Sequence, residues 1–461
     1  MIGSLCLSDL QSVMPAQLSG GDASFSSVST DTRSLKSGEL YVALSGANFD
    51  GNRFVAQAKE SGAVAAVVSH HQAVDLPQLE VADTAIALGW LGSLNRRKSA
   101  ATIVAVTGSQ GKTSVKEIAG AILKEQFNVL VTEGNLNNTI GAPIMLLRLE
   151  AGHERAVIEL GANAPGEIAW TAKITDPHIV LINNAAETHL EGFGSLAGVV
   201  QAKGEIIDSG SLTHTVVLNA DDVNTGAWKA RAGHRKVRLF SVQENADARV
   251  DYFARDIQTH TNGSEFTLVS PAGEIVCFLP LLGRHNVANA VAAAALALEA
   301  GASLVAVAAA LKNVTAVPGR VSPMAGVNGS ALLDDTYNAS PASFKAAIDV
   351  LADVCLETGK QSLLIMGDMA ELGTQAVAAH REVGEYAADR NIDMLLTIGE
   401  FSQFAHAGFT SAGRHFEDKQ ALISYALSLL SPDLLVLVKG SRSSAMEEII
   451  QKLKHTQGEN C

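Results

Sequence analysis

Residues 102–113 read Thr-Ile-Val-Ala-Val-Thr-Gly-Ser-Gln-Gly-Lys-Thr, and this stretch decides the fold. Thr102–Val106 is an apolar, β-branched run, the composition of a strand buried on both faces. A glycine-rich turn follows, and Ser114–Lys124 carries a helical pattern. Strand, turn and helix in that order point backbone N–H groups and a helix N-terminus at one spot, where a phosphate is held. Lys112 adds a point charge for the outer phosphates, and the Thr113 hydroxyl suits magnesium. The stretch predicts a nucleoside triphosphate site made by Gly108, Ser109, Gln110, Gly111, Lys112, Thr113 and Ser114. The general P-loop pattern G-x-x-x-x-G-K-[ST] puts its first glycine where this chain has Val106, so Gly108 must supply the flexibility.

Working outward, the chain divides into three α/β regions. Residues 1–85 hold the strand candidates Glu39–Leu44 and Val64–Val68 and predict a small N-terminal domain. A helix over Thr84–Arg97, with Asp83 as its N-cap, leads to the P-loop strand. Residues 86–314 alternate strands (Thr102–Val106, Val129–Val131, Ala156–Ile158, Ile179–Ile182, Thr215–Leu218) with helices, which predicts a mostly parallel sheet. A β-rich patch at Val237–Phe240, Glu265–Val269 and Ile275–Phe278 and a helix over Val287–Glu299 complete this region. Residues 315–461 place Ala331–Leu333, Leu363–Met366, Met394–Ile398 and Leu434–Val438 between helices such as Ser343–Val354 and Val377–Arg390, the signature of a second, Rossmann-like doubly wound sheet.

Composition narrows the function. At 461 residues the chain is too long for one core. A net charge of −14 with no basic stretch argues against a nucleic-acid binder but not against anionic substrates in a local basic pocket. Cys6, Cys277, Cys355 and Cys461 are scattered without metal-ligand spacing and suit reduced thiols of a cytoplasmic protein. Met1–Pro15 lacks a basic n-region, and the longest apolar stretches are too short to span a bilayer.

Several polar clusters follow predicted strands of the central region, the edge where open α/β sheets bind ligands. Glu159 offers a hard oxygen for a phosphate-bridging magnesium. His189 sits in the glycine-rich loop after Asn183-Asn184. Asn135, Asn137, Asn138 and Thr139 form a neutral hydrogen-bonding loop suited to a polar substrate, or to a capped turn. Lys203, on a helix, has nothing in its spacing to set it apart from a solvated lysine.

Taken in order over essentially the whole chain, Thr107–Thr113, Glu159, Asn183-Asn184, His189, Lys203, Gly283-Arg284-His285-Asn286, Pro318-Gly319-Arg320 and Asp334-Asp335-Thr336-Tyr337-Asn338 resemble the Mur ligase family. These are cytoplasmic ATP-dependent amide ligases that build the peptidoglycan precursor. Thr30-Asp31-Thr32-Arg33, Asn137-Asn138-x-x-Gly141-x-Pro143, His189–Ser195 and Gly367–Gly373 resemble the branch that adds D-alanyl-D-alanine to UDP-N-acetylmuramoyl-tripeptide. The Asp-Asn-Pro-Arg tetrapeptide of the diaminopimelate-adding members is absent.

The resemblance implies ATP and Mg2+ as cofactors and catalytic roles for Lys112, His189 and Lys203. It implies metal ligation by Thr113, Glu159, His189 and a carbamoylated Lys203. Asn286, Arg320, Asp335 and Tyr337 would join the ATP site, and Arg33 with Asn48, Phe49, Asp50 and Gly51 would form the UDP-sugar site. It further implies a monomer with small-molecule partners. Two alternatives remain: a family ligase adding a single amino acid, or an ATP-gated switch without ligation chemistry.

Overall fold

The computed structural model describes residues 1–46, 49–188, 190–243, 249–410 and 412–454. Three main sheets follow one another along the chain. The first has five strands in the order Ala16–Ser19, Gln78–Val81, Ala65–Val68, Leu40–Val42, Val28–Ser29, and only its first pair is antiparallel. Helix Thr84–Arg97 begins at the expected residue, with Asp83 accepting from the backbone N–H groups of Ala85 and Ile86. It spans the expected boundary at residues 85/86. Its buried Ala87, Leu88 and Leu91 pack into the core of the first sheet together with Leu147 of the central region, so this helix joins the two units.

The central sheet has nine strands, ordered Val129–Val131, Arg155–Glu159, Thr102–Thr107, Ile179–Ile182, Thr215–Asn219, Lys236–Ser241, Tyr252–His260, Gly263–Ser270, Gly273–Leu279. The first seven are parallel and the last two turn back as a meander. Strand Thr102–Thr107 is buried on both sides, as its composition predicts. Val104 and Val106 enter one core, and Ile103 and Ala105 enter the other. Each of the buried valines and the isoleucine contributes about 1.5–3 kcal/mol on burial. On the first face lie helix Lys112–Lys124 and the alanine-rich helix Arg284–Glu299, whose Ala290 and Ala292 to Ala295 are fully buried. The small side chains let two helices and the meander share one core.

The C-terminal sheet has six strands, ordered Ser322–Ala325, Ala331–Asp335, Leu434–Lys439, Gln361–Met366, Met394–Ile398, Ala412–Phe416, with only the first antiparallel. Helices cover both of its faces. The α/β class and the three-part, mostly parallel architecture are those expected from the sequence. Among the described residues no helix is long and apolar enough to cross a membrane.

Candidate functional site

The P-loop lies at the C-terminal end of the central parallel strands. Its two glycines carry the backbone where side chains rarely go, with φ of 155° at Gly108 and 74° at Gly111. Gly111 is also hemmed in, since a Cβ there would lie 2.3 Å from Asn289 Oδ1 and 2.5 Å from Asn183 Nδ2. Gly111→Ala must therefore strain the backbone and displace both asparagines. We expect it to weaken nucleotide binding by about tenfold or more, checked by calorimetry with ADP.

Neighbouring strands brace the loop. The Gln110 N–H donates to Asn184 Oδ1 at 2.8 Å, and Asn183 Nδ2 donates to the Gln110 carbonyl at 3.0 Å. Ser109 Oγ donates to the Ala186 carbonyl and accepts the Ala186 N–H at 2.9 Å. Asn289 was not anticipated from sequence. It accepts from Asn183 Nδ2 at 3.1 Å and donates to Asn286 Oδ1 at 3.3 Å. Asn286, buried and donating to the Leu282 carbonyl, thus reaches the loop through a relay of asparagines.

Lys112 folds back over the loop, donating to the Gly108 and Ser109 carbonyls at 2.7 and 3.2 Å. Burial lowers its pKa, with the Glu159 charge opposing and the Arg320 charge adding. Glu159 is 1 % exposed. Its Oε1 accepts from Asn137 Nδ2 at 2.7 Å and from the Thr113 hydroxyl at 3.3 Å, while the buried Oε2 has no hydrogen-bond partner among the described residues. A buried carboxylate oxygen left open beside a hydroxyl fits a hard cation. Among the described residues no three His, Cys, Asp or Glu side chains cluster.

Lys203 is buried, with its ammonium 5.4 Å from the centre of the Phe193 ring. Burial, aided by the Lys112 charge and opposed by Glu167 and Glu205, brings its pKa down to about 7. The structure thus removes Lys203 from the solvated lysines, which periodicity alone could not do. His189 lies outside the described residues, as does Asn48.

The C-terminal sheet supplies the opposite wall. Arg320 Nη2 donates to Thr113 Oγ1 at 3.1 Å, and its guanidinium lies 4.5 Å from the centre of the Tyr337 ring. Gln110 Nε2 donates at 2.9 Å to Ser340 Oγ, the N-cap of helix Pro341–Thr358. Asp335, buried, is paired with Lys439 at 2.6 Å, and Lys439 also donates to the Asn338 carbonyl at 2.9 Å. Burial raises the Asp335 pKa, with the Lys439 charge opposing. Lys439 has no motif around it, and only the parallel register of Ala331–Asp335 with Leu434–Lys439 makes the pair. Ser114 is half-buried on the first turn of helix Lys112–Lys124.

On the N-terminal side, the Asn loop sits where Ile140 packs on the first core. Asn137 turns to Glu159. Asn138 Oδ1 accepts the N–H groups of Ile140 and Gly141, making a capped turn before helix Gly141–Leu147. Asn135 is exposed and Thr139 half-buried. Arg33 is held by the Asp31 carboxylate in a bidentate pair of 2.6–3.1 Å, which brings the Asp31 pKa down to about 2. Asp50 accepts from Asn52 and Ser45. Phe49 is exposed and stacks on Phe54 at 5.5 Å. Gly51 is closed in by Leu44, whose carbonyl oxygen would lie 2.4 Å from a Cβ.

A cavity of about 580 Å³ at the far ends of the central strands does not belong to this site; it is lined by Trp90, Arg96, Arg97, Lys173, Asp176 and His178. Helices Thr84–Arg97, Glu167–Thr175 and Leu196–Asp208 all end there, and the cations answer the partial negative charge of helix C-termini.

Three family models match the chain in sequence order. They are the Mur ligase family catalytic domain over residues 24–109, the Mur ligase middle domain over 106–297, and the Mur ligase glutamate ligase domain over 319–442. An Escherichia coli K12 protein named UDP-N-acetylmuramoyl-tripeptide--D-alanyl-D-alanine ligase is 48% identical over 453 residues, 98% of each chain. The chain belongs to the Mur ligase family. A Haemophilus influenzae protein of the same name is 42% identical over 96% of this chain and 97% of its own. A crystal structure titled MurF from Acinetobacter baumannii superposes with a TM-score of 0.91 at 33% identity, covering 98% of this chain and 99% of that one. The family expected from the motifs is thus confirmed across the whole molecule.

Proposed function

We propose that the chain joins D-alanyl-D-alanine to UDP-N-acetylmuramoyl-tripeptide at the expense of ATP, giving the pentapeptide precursor, ADP and phosphate. The relation to the Escherichia coli ligase of that name, at 48% identity over nearly the full length of both chains, carries this reading. The geometry supports it, because groups from two of the units meet at the P-loop: Asn137, Glu159 and Lys112 of the central region, and Arg320 of the third region.

A carboxylate resists attack by an amine at neutral pH. In the proposed reaction the terminal carboxylate of the tripeptide attacks the γ-phosphorus of ATP and ADP departs. The dipeptide amine then attacks the acyl phosphate carbon, and the tetrahedral intermediate collapses with loss of phosphate. No protein nucleophile is needed, so catalysis is placement and charge neutralisation. Lys112 would exchange its loop carbonyls for phosphate oxygens, with Gly108–Ser114 offering backbone donors. Arg320, locked between Thr113 and Tyr337, would meet the same phosphates from the opposite wall, and Asp335 and Asn286 would support the nucleotide from behind.

Magnesium, where bound, would neutralise charge on the phosphates, held by Thr113, Glu159 and a carbamoylated Lys203, with His189 as a further expected ligand. Arg33, Asn48, Phe49, Asp50 and Gly51 are assigned to the UDP-sugar, and Asn135, Asn137, Asn138 and Thr139 to the peptide arm. We place the protein in the cytoplasm as a monomer acting on small molecules, with no nucleic-acid or membrane partner.

Phosphate release tests the reading directly. It should require both UDP-N-acetylmuramoyl-tripeptide and D-alanyl-D-alanine, and single D- or L-amino acids should not replace the dipeptide. Release with single amino acids would favour a single-residue ligase, and release without either acceptor would favour an ATP-gated switch.

A further inference from the structure

Helix Lys112–Lys124 turns one face to strands Val129–Val131 and Arg155–Glu159, and three residues on it, Thr113, Lys116 and Gly120, stand at helical spacing. Gly120 allows close approach, since a Cβ there would lie 2.7 Å from Val131 Cγ2. Thr113 touches the Glu159 carboxylate. Between them the fully buried Lys116 donates from Nζ to the Thr132 carbonyl at 2.6 Å. The Thr132 hydroxyl in turn accepts the Glu159 N–H at 3.0 Å, and the Thr132 N–H donates to the Val157 carbonyl at 2.9 Å. The loop that starts after Thr132 delivers Asn137 to Glu159 Oε1. The acceptor of the Glu159 N–H therefore sits on the residue that Lys116 pins, and Asn137 follows in the loop just beyond it.

Packing alone does not call for a lysine here. Val115, Ile118 and Ala119 around it are core residues, and a buried ammonium carries a desolvation penalty that an apolar side chain avoids. Its charge is balanced by Glu117 Oε1 at 2.7 Å, on the solvent side. What an ammonium adds over a methylene chain is donation to the Thr132 carbonyl.

We propose that Lys116 is a positioning residue that fixes Glu159 through Thr132, so that the open carboxylate oxygen faces the P-loop. Only the part Glu159 plays toward magnesium rests on the ligase reading. The test uses the full chain with Lys116→Met and Thr132→Val. Lys116→Met removes the donor and keeps an apolar filler. Thr132→Val keeps the carbonyl that Lys116 reaches and removes the acceptor of the Glu159 N–H.

Hydrogen exchange of peptides covering 157–161 and 132–138 should rise about tenfold in both variants, with far-UV circular dichroism unchanged. The dissociation constant of ADP measured with magnesium should rise about tenfold, and that of ADP without magnesium should hold. The double variant should be no worse than either single one. Wild-type exchange at residues 157–161 in folded Lys116→Met overturns the relay. Should that variant fail to fold, wild-type exchange in Thr132→Val overturns it equally. Faster exchange with unaltered magnesium-dependent ADP affinity supports the relay and overturns the assignment of Glu159 to magnesium.

Discussion

Lys112→Ala is expected to lower phosphate release by about 10²–10³-fold or more while the protein stays folded. The ammonium is the cation of the loop, held by the Gly108 and Ser109 carbonyls, which phosphate oxygens would replace in the proposed reaction. Removing it leaves those carbonyls to water, which costs little. The loop keeps its braces, because Asn183, Asn184 and Ser109 hold it without help from Lys112. The melting temperature should therefore shift by no more than about 2–4 °C. Lys112→Arg should also fail, since a planar fork cannot follow the path of a point charge through this turn. A coupled phosphate assay with a circular dichroism melt decides the matter. Wild-type phosphate release from Lys112→Ala would contradict the assignment of this loop to ATP.

The sequence was most legible where burial is uniform. Val129–Val131 and Ile179–Ile182 have the ends their composition predicts, because each is a continuous apolar run bounded by polar residues, and Met394–Ile398 keeps its predicted ends between Asp393 and the turn glycine Gly399. Tyr252–His260 was missed because Arg255, Asp256, Thr259 and His260 are exposed and a bulge between Arg255 and Gln258 breaks the alternation. Ala412–Phe416 and Ala16–Ser19 are edge strands with little buried surface to leave a pattern. Helix Lys112–Lys124 starts two residues before the expected Ser114, because Gly111 lets the turn close directly onto it. In the site, the local motif was legible and its supports were not. Asn289 braces residues more than a hundred positions away, and Lys439 meets Asp335 only through strand register. Lys116 and Thr132 look like ordinary helix and strand-end residues until the helix is laid on the sheet.

Lys203 carries the other large expectation. Its folded pKa of about 7 lies below the ordinary value of 10.5, so between these values the unfolded chain holds a proton that the folded one releases. Stability contributed by this group therefore rises with pH through that window and is lowest below about pH 7, where the ammonium is buried intact. The same shift leaves a neutral fraction at physiological pH, able to attack CO2: a C–N bond forms as one C=O π bond opens, one proton leaves the nitrogen, and the neutral amine becomes a carbamate anion. Lys112, whose charge helps depress the amine, attracts that anion. Bicarbonate at pH 8 should then raise the melting temperature of the wild type by a few degrees, since it binds the folded state alone. Depleting CO2 should lower activity about tenfold or more. Lys203→Met should lose about 10²-fold or more in activity and show no response of melting to bicarbonate, because it removes both the nucleophile and the buried charge. Melting and activity of the wild type that both ignore bicarbonate would sink the carbamate. Activity of the wild type should fall as pH drops below about 7, where the ammonium is intact and cannot attack CO2.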